Sequence, residues 1–194
     1  MAIRKVVLKG HKALTTKNKK VLNFNSPKIK RVIKDLKDTL RNSTLVGIAA
    51  PQIDQNYQIF ITYPKNTKYR NFGKGDVLRT YINPKITFLS EEKSMIYEGC
   101  GSVVDDHGFP FGPVVRPKEI GVEAFDEKGR KFSLRCDGIL ARVIQHEMDH
   151  LKGVEFLQKV ENSSKIVSEE FYKKNIKDSK QQILASKITK IECK

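Results

Sequence analysis

An α+β domain is what the patterning of this chain predicts, with mostly antiparallel sheets packed around a central helix and a further helix toward each end. Three observations carry that expectation. Val32, Ile33, Leu36 and Leu40 recur at helical spacing. Ile120, Val122 and Ala124 alternate with other residues, and Phe132, Leu134 and Cys136 resume the alternation after a turn. An apolar-rich stretch from about Gly138 to Leu151 follows at once, framed by Asp137 and Gly153.

Taken in order, Ser26-Pro27 opens the first helix, serine as N-cap and proline at the first helical position, and the helix runs to about Asn42. The segment Gly47-Ile48-Ala49-Ala50-Pro51-Gln52 is too small and too broken by glycine and proline for a regular core helix. Strand-like runs occupy Tyr57 to Tyr63 and Val77 to Ile82, and another precedes Cys100. The later alternation reads as a hairpin turning at Asp126 to Gly129. Asp137 is expected to cap the helix that follows, and Gly153 to end it. Val154 to Leu157 reads as a short strand, and Ser168 to Ile188 as one weaker, lysine-rich helix.

A length of 194 residues suits one domain, with 39% hydrophobic and 30% charged residues excluding wholesale disorder. The expected core spans about 6–160, and 161–194 reads as a basic, helical extension. No apolar stretch nears the roughly 20 residues of a membrane-spanning helix, so no membrane role is expected. The N-terminal residues are basic but lack the apolar run and cleavage site of a secretory signal. Three scattered cysteines suggest no disulfide framework, which favours a reducing cytoplasm. Cys136 and Cys193 read as small buried hydrophobes. A net charge of +15 implies attraction to polyanions, or simply a lysine-rich surface.

The chemistry concentrates at Gln145-His146-Glu147-Met148-Asp149-His150. Histidines four residues apart share one helix face, so both imidazoles reach one metal ion. The glutamate between them can touch the attacking water without being a ligand. The bland alternative is a helix whose histidines are merely satisfied in place. A catalytic metal needs a third protein ligand and an open position. Cys100, flanked by Gly99 and Gly101, offers that third ligand where an isolated cysteine would otherwise be packing. Asp149 and Gln145 read as support for the ligands.

Three segments in this order resemble the peptide deformylases. The family carries Gly-x-Gly-φ-Ala-Ala-x-Gln, Glu-Gly-Cys-φ-Ser and Gln-His-Glu-x-Asp-His. This chain reads Leu45-Val46-Gly47-Ile48-Ala49-Ala50-Pro51-Gln52, Glu98-Gly99-Cys100-Gly101-Ser102 and the helix segment above. The resemblance runs from about Val6 to Val160, and includes Ile82-Asn83-Pro84 and Gly138-Ile139-Leu140-Ala141-Arg142. Two residues depart from it: Leu45 stands where the family has glycine, and Gly101 where it has leucine. Residues 103–113 are hard to align.

The resemblance implies hydrolysis of the formyl group on the N-terminal methionine of new proteins, releasing formate. It implies Cys100, His146 and His150 as metal ligands, and Glu147 as general base and then acid. The side chain of Gln52 and the backbone N–H of Gly101 become oxyanion donors. Fe(II) is the expected native metal, with zinc, nickel or cobalt taken up in purified protein. An extended formylated peptide is expected beside Val46 and Gly47, its methionine side chain against Val46, Ile139 and Val143, although core packing would equally explain these three. The expected state is a cytoplasmic monomer with weak, salt-sensitive ribosome binding through its basic surface. Rival readings are a metalloprotease built on the same helix, and a non-enzymatic, ribosome-associated paralogue that kept the scaffold.

Overall fold

The computed structural model describes residues 2–67, 71–106 and 108–194. Helix α1 spans Pro27–Arg41 and buries Ile29, Val32, Ile33, Leu36 and Leu40, the face that the 3.6-residue spacing marks out. Pro27 sits in its first turn, and Ser26 stands at the N-cap position without a side-chain cap bond. Strand β1 (Gly47–Ala49) leads into a 3-10 turn, Ala50–Ile53, and then β2 (Ile59–Thr62).

Strand β3 (Arg79–Leu89) runs seven residues beyond the expected stop at Ile82. It passes through Asn83, at φ +50°, and Pro84, with register shifts against its partner between Ile82 and Lys85 and again between Ile86 and Phe88. Proline has no N–H to give the ladder, so the strand breaks pairing and bulges where a local reading would end it. The freed Asn83 amide exchanges hydrogen bonds with the backbone of Val21 at 2.9 and 2.8 Å.

Strands β4 (Lys93–Gly99) and β5 (Phe111–Pro117) form a separate two-stranded sheet. Strand β5 is not legible in the sequence because Pro113 and Pro117 disguise it. The hairpin β6 (Glu119–Phe125) and β7 (Lys131–Asp137) forms as expected, in continuous register from Glu119–Asp137 to Phe125–Lys131. Helix α2 spans Gly138–Leu151, and Gly153 follows at φ +73°.

Asp137 does not cap α2. Its carboxylate accepts the backbone N–H groups of Thr189 and Lys190 at 2.8 and 2.9 Å, tying down the C-terminal segment. Val154 to Leu157 is not a strand either: Phe156–Lys159 is a 3-10 turn that buries Phe156. The lysine-rich segment is two short helices, α3 (Glu169–Asn175) and α4 (Lys180–Ser186), each capped by the serine before it. It closes with strand β8 (Ile191–Cys193), where Cys193 is exposed and not the buried hydrophobe expected. Cys136 is fully buried.

The larger sheet has the order β1-β2-β3-β6-β7-β8, antiparallel at every pairing. One face packs Phe60, Tyr81, Val122 and Leu134 against Leu140, Ala141, Ile144 and Met148 of α2. The other face packs Ile48, Ile59, Ile61 and Ile82 against α1. Strand β2 is therefore covered on both sides, which explains its unbroken buried run, Ile59-Phe60-Ile61-Thr62. The C-terminal segment belongs to this core: Ile188 is buried in the α2 cluster. Among the described residues no helix is long and apolar enough to cross a membrane.

Candidate metal centre

Helix α2 presents His146 and His150 one turn apart, their ring centroids 5.1 Å from each other. The loop leaving β4 brings Cys100 to them, its Sγ 3.3 Å from Nε2 of His150. One ligand atom from each of the three lies within 4.8 Å of the others, a group that could hold a metal ion. One thiolate and two imidazoles suit a borderline divalent cation.

The partners of these side chains fit the same reading. Nδ1 of His146 faces Oε2 of Glu98 at 3.1 Å, which leaves Nε2 for a metal. Glu98 is held in turn by Arg116 through Nε (2.7 Å) and NH2 (3.0 Å), and by Arg142 at 2.7 Å. Arg116 also donates to Asp149 at 2.7 Å, and Gln145 donates to the carbonyls of Pro117 and Ala141. Both arginines and both carboxylates are buried, so the network replaces the water each charge has lost. Burial opposes charge on Glu98, but His146 and Arg116 outweigh it and hold the carboxyl well below the usual range. Burial pushes the His150 imidazole well below its ordinary value, whereas at His146 burial is outweighed by Cys100 and Glu98, which raise it.

Glu147 lies between the two histidines in sequence and is buried. Burial raises its carboxyl to about 7, and its Oε2 has no hydrogen-bond partner among the described residues. A buried carboxylate oxygen left open costs free energy unless something outside the chain completes it. Gly47 makes room for it: a Cβ there would lie 2.6 Å from Oε1 of Glu147 and 2.5 Å from Cγ1 of Val143.

Gln52 projects from the 3-10 turn after β1. Its Oε1 accepts the Ala49 N–H at 2.9 Å, which turns Nε2 toward Ser102 Oγ at 3.2 Å and Cys100 Sγ at 3.9 Å. The N-terminal segment crosses behind, Val7 N–H donating to the Gln52 carbonyl at 2.9 Å and Lys9 N–H to the Ser102 carbonyl at 2.7 Å. Gln52, Cys100, Gly101, Glu147, Gly47 and Val143 are thus drawn together from four segments. Val46 is half-buried, its carbonyl taken by the Tyr63 N–H at 2.8 Å, and Ile139 packs half-buried against the α2 core cluster. Sequence reasoning did not single out Ser102, Arg116 or Arg142. The available signal was an arginine, Arg142, four residues before His146 in an otherwise apolar run, Ile139 to Ile144.

Comparison with known proteins identifies the family and the fold. The family model described as polypeptide deformylase matches residues 3–165. Peptide deformylase 2 of Clostridium perfringens is 36% identical over 167 residues, covering 86% of this chain and 99% of that protein. The crystal structure of the Thermotoga maritima peptide deformylase aligns with a TM-score of 0.71 at 27% identity, over 84% of this chain and all of that one. A Met-Ala-Ser-bound peptide deformylase from Acinetobacter baumannii aligns at 0.75 with 26% identity, over 82% of this chain and 99% of that one.

Proposed function

The chain belongs to the polypeptide deformylase family, a family of enzymes, and from that premise we propose how its own residues remove the formyl group from N-terminal formyl-methionine. The observation that carries the proposal is the meeting of Cys100, His146 and His150 beside Glu147, whose buried Oε2 lacks a partner. A divalent metal at those three ligands supplies Lewis acidity and lowers the pKa of water. Fe(II) is the native metal proposed, and zinc, nickel or cobalt fit the same donors.

Glu147 takes a proton from the attacking water as the new C–O bond forms at the formyl carbon. It returns that proton to the nitrogen as the C–N bond breaks, leaving formate and a free amine. A carboxyl raised toward 7 by burial suits a group that must both accept and give a proton near neutrality. Gln52 Nε2 and the Gly101 N–H stabilise the developing oxyanion. Such donors act because they are already oriented, and the Ala49 bond to Gln52 Oε1 supplies that orientation.

The peptide adds as a strand to the free edge of β1. The Tyr63 N–H is bonded to the Val46 carbonyl, so the antiparallel alternation turns the N–H and C=O of Gly47 away from β2. Val46, Ile139 and Val143 line the methionine pocket. The substrate is a formylated nascent chain, met by a cytoplasmic monomer that binds ribosomes weakly through exposed lysines such as Lys173 and Lys174. The metalloprotease reading is disfavoured because Cys100 Sγ lies beside His150 and is available as the third ligand. The assembled site likewise gives no support to a non-enzymatic paralogue.

Formate release from a formyl-Met-Ala-Ser peptide by anaerobically purified protein tests the proposal. Release in step with bound metal is expected. Fully metal-loaded protein that releases none would contradict it.

A further inference from the structure

Leu45 and Gly101 are the two residues that break the deformylase motifs, and they meet in the structure. A Cβ on Gly101 would lie 3.1 Å from Cδ1 of Leu45 and 3.2 Å from Cδ2. The isobutyl group of Leu45 thus already fills the space that a side chain on residue 101 would enter. Leu45 is itself anchored, packed half-buried against the α1 core cluster, with its N–H held by Ser43 Oγ at 3.2 Å.

The neighbours of Gly101 are pinned. The Ser102 N–H lies 3.4 Å from Cys100 Sγ, its hydroxyl accepts from Gln52, and its carbonyl accepts from Lys9. Gly101 alone has no side chain by which to be held, and glycine has the most backbone freedom to lose. A loose donor is a poor one, because stabilising a transition state requires orientation paid in advance.

We infer that Leu45 is a positioning residue for the Gly101 N–H: packed against the Cys100 loop, it replaces the side chain that residue 101 lacks. Relative to the family motifs the large and small residues have exchanged places, and Leu45 packs the segment before β1 against the Cys100 loop. This inference rests on the proposed deformylase activity and on Gly101 as donor.

The test is a double-mutant cycle on L45A, G101L and L45A/G101L, with kcat for formate release taken per mole of bound metal. Thermal midpoint and metal content are measured alongside. L45A frees the Gly101 segment, and G101L collides with Leu45, so each is expected to lose about 10-fold in kcat with little change in KM. The double variant should regain most of that loss, a coupling approaching roughly 100-fold against the product of the singles, at the upper end of the range for contacting residues. A loss in kcat per metal separates positioning from mere support of the fold, which would appear in the midpoint and in metal loading. If G101L does not fold, G101A takes its place in the cycle, since the Cβ alone is already tight against Leu45. L45A at parental kcat, or a double variant equal to the product of the singles, overturns the inference while an active parent leaves the deformylase reading standing. A metal-loaded parent that releases no formate overturns both.

Discussion

Nδ1 of His146 lies 3.1 Å from Oε2 of Glu98, a carboxylate that also receives two arginines. The relationship fixes which imidazole nitrogen is free and which way the ring faces. Glu98→Gln should therefore weaken metal binding by about 10- to 100-fold, the usual effect of losing a ligand's own hydrogen-bond partner. It also leaves Arg116 and Arg142 buried without their carboxylate, at a cost of about 3–5 kcal/mol. Metal titration and denaturant unfolding of the variant check the two effects separately.

The same carboxylate predicts an acid-side slope. Glu98 is held well below its ordinary value in the folded chain, so below about pH 5 the unfolded chain binds the extra proton. Stability from this group is fully present above its unfolded pKa and is lost as pH falls through the folded one. Metal-free parent protein should lose stability between about pH 5 and 3 more steeply than Glu98→Gln does. Unfolding curves at a series of pH values give the two slopes, and equal slopes would remove Glu98 from the account.

Gly47→Ala places a methyl group 2.5 Å from Val143 and 2.6 Å from the Glu147 carboxylate. Either β1 or Glu147 must shift, and misplacement by about 1 Å can cost about 100-fold in rate. Turnover should fall by that order while the metal remains. Adding Val143→Ala should recover only part of the loss, because the contact with Glu147 persists. Steady-state kinetics of the single and double variants check this.

The C-terminal segment is a structural strap as well as a basic surface. Gln182 accepts the Tyr97 N–H and donates to its carbonyl, both at 3.0 Å, one residue before Glu98. Gln182→Ala should cost about 1–3 kcal/mol by leaving those groups unpaired, visible as a lowered thermal midpoint. Truncation near Lys165 would remove β8 and Ile188, so it should destabilise the whole fold. The ribosome proposal is tested in the full chain with Lys173→Glu/Lys174→Glu across a salt series, where weaker binding with intact formate release is expected.

The site was more legible than its scaffold. His146, Glu147 and His150 announce themselves because one helix carries all three, and the spacing of four residues means proximity only there. Glu98 and Arg116 are 18 residues apart on paired strands, and β5 is masked by its prolines; their ion pair is reached by the long arginine side chain and is visible only in the folded chain. The two tail helices and β8 carry weak local patterns and are held by distant partners, Tyr97 and Asp137. Leu45 and Gly101 look like two losses in sequence and become one contact in space.

Glu147→Gln tests the central claim most directly, with formate release measured per mole of bound metal. The amide keeps the shape of the side chain but cannot take the proton from water. The account predicts metal content equal to the parent and a loss of at least about 100-fold in turnover, the lower end of what a positioned base contributes. Turnover within a few-fold of the parent, with metal fully bound, would contradict it.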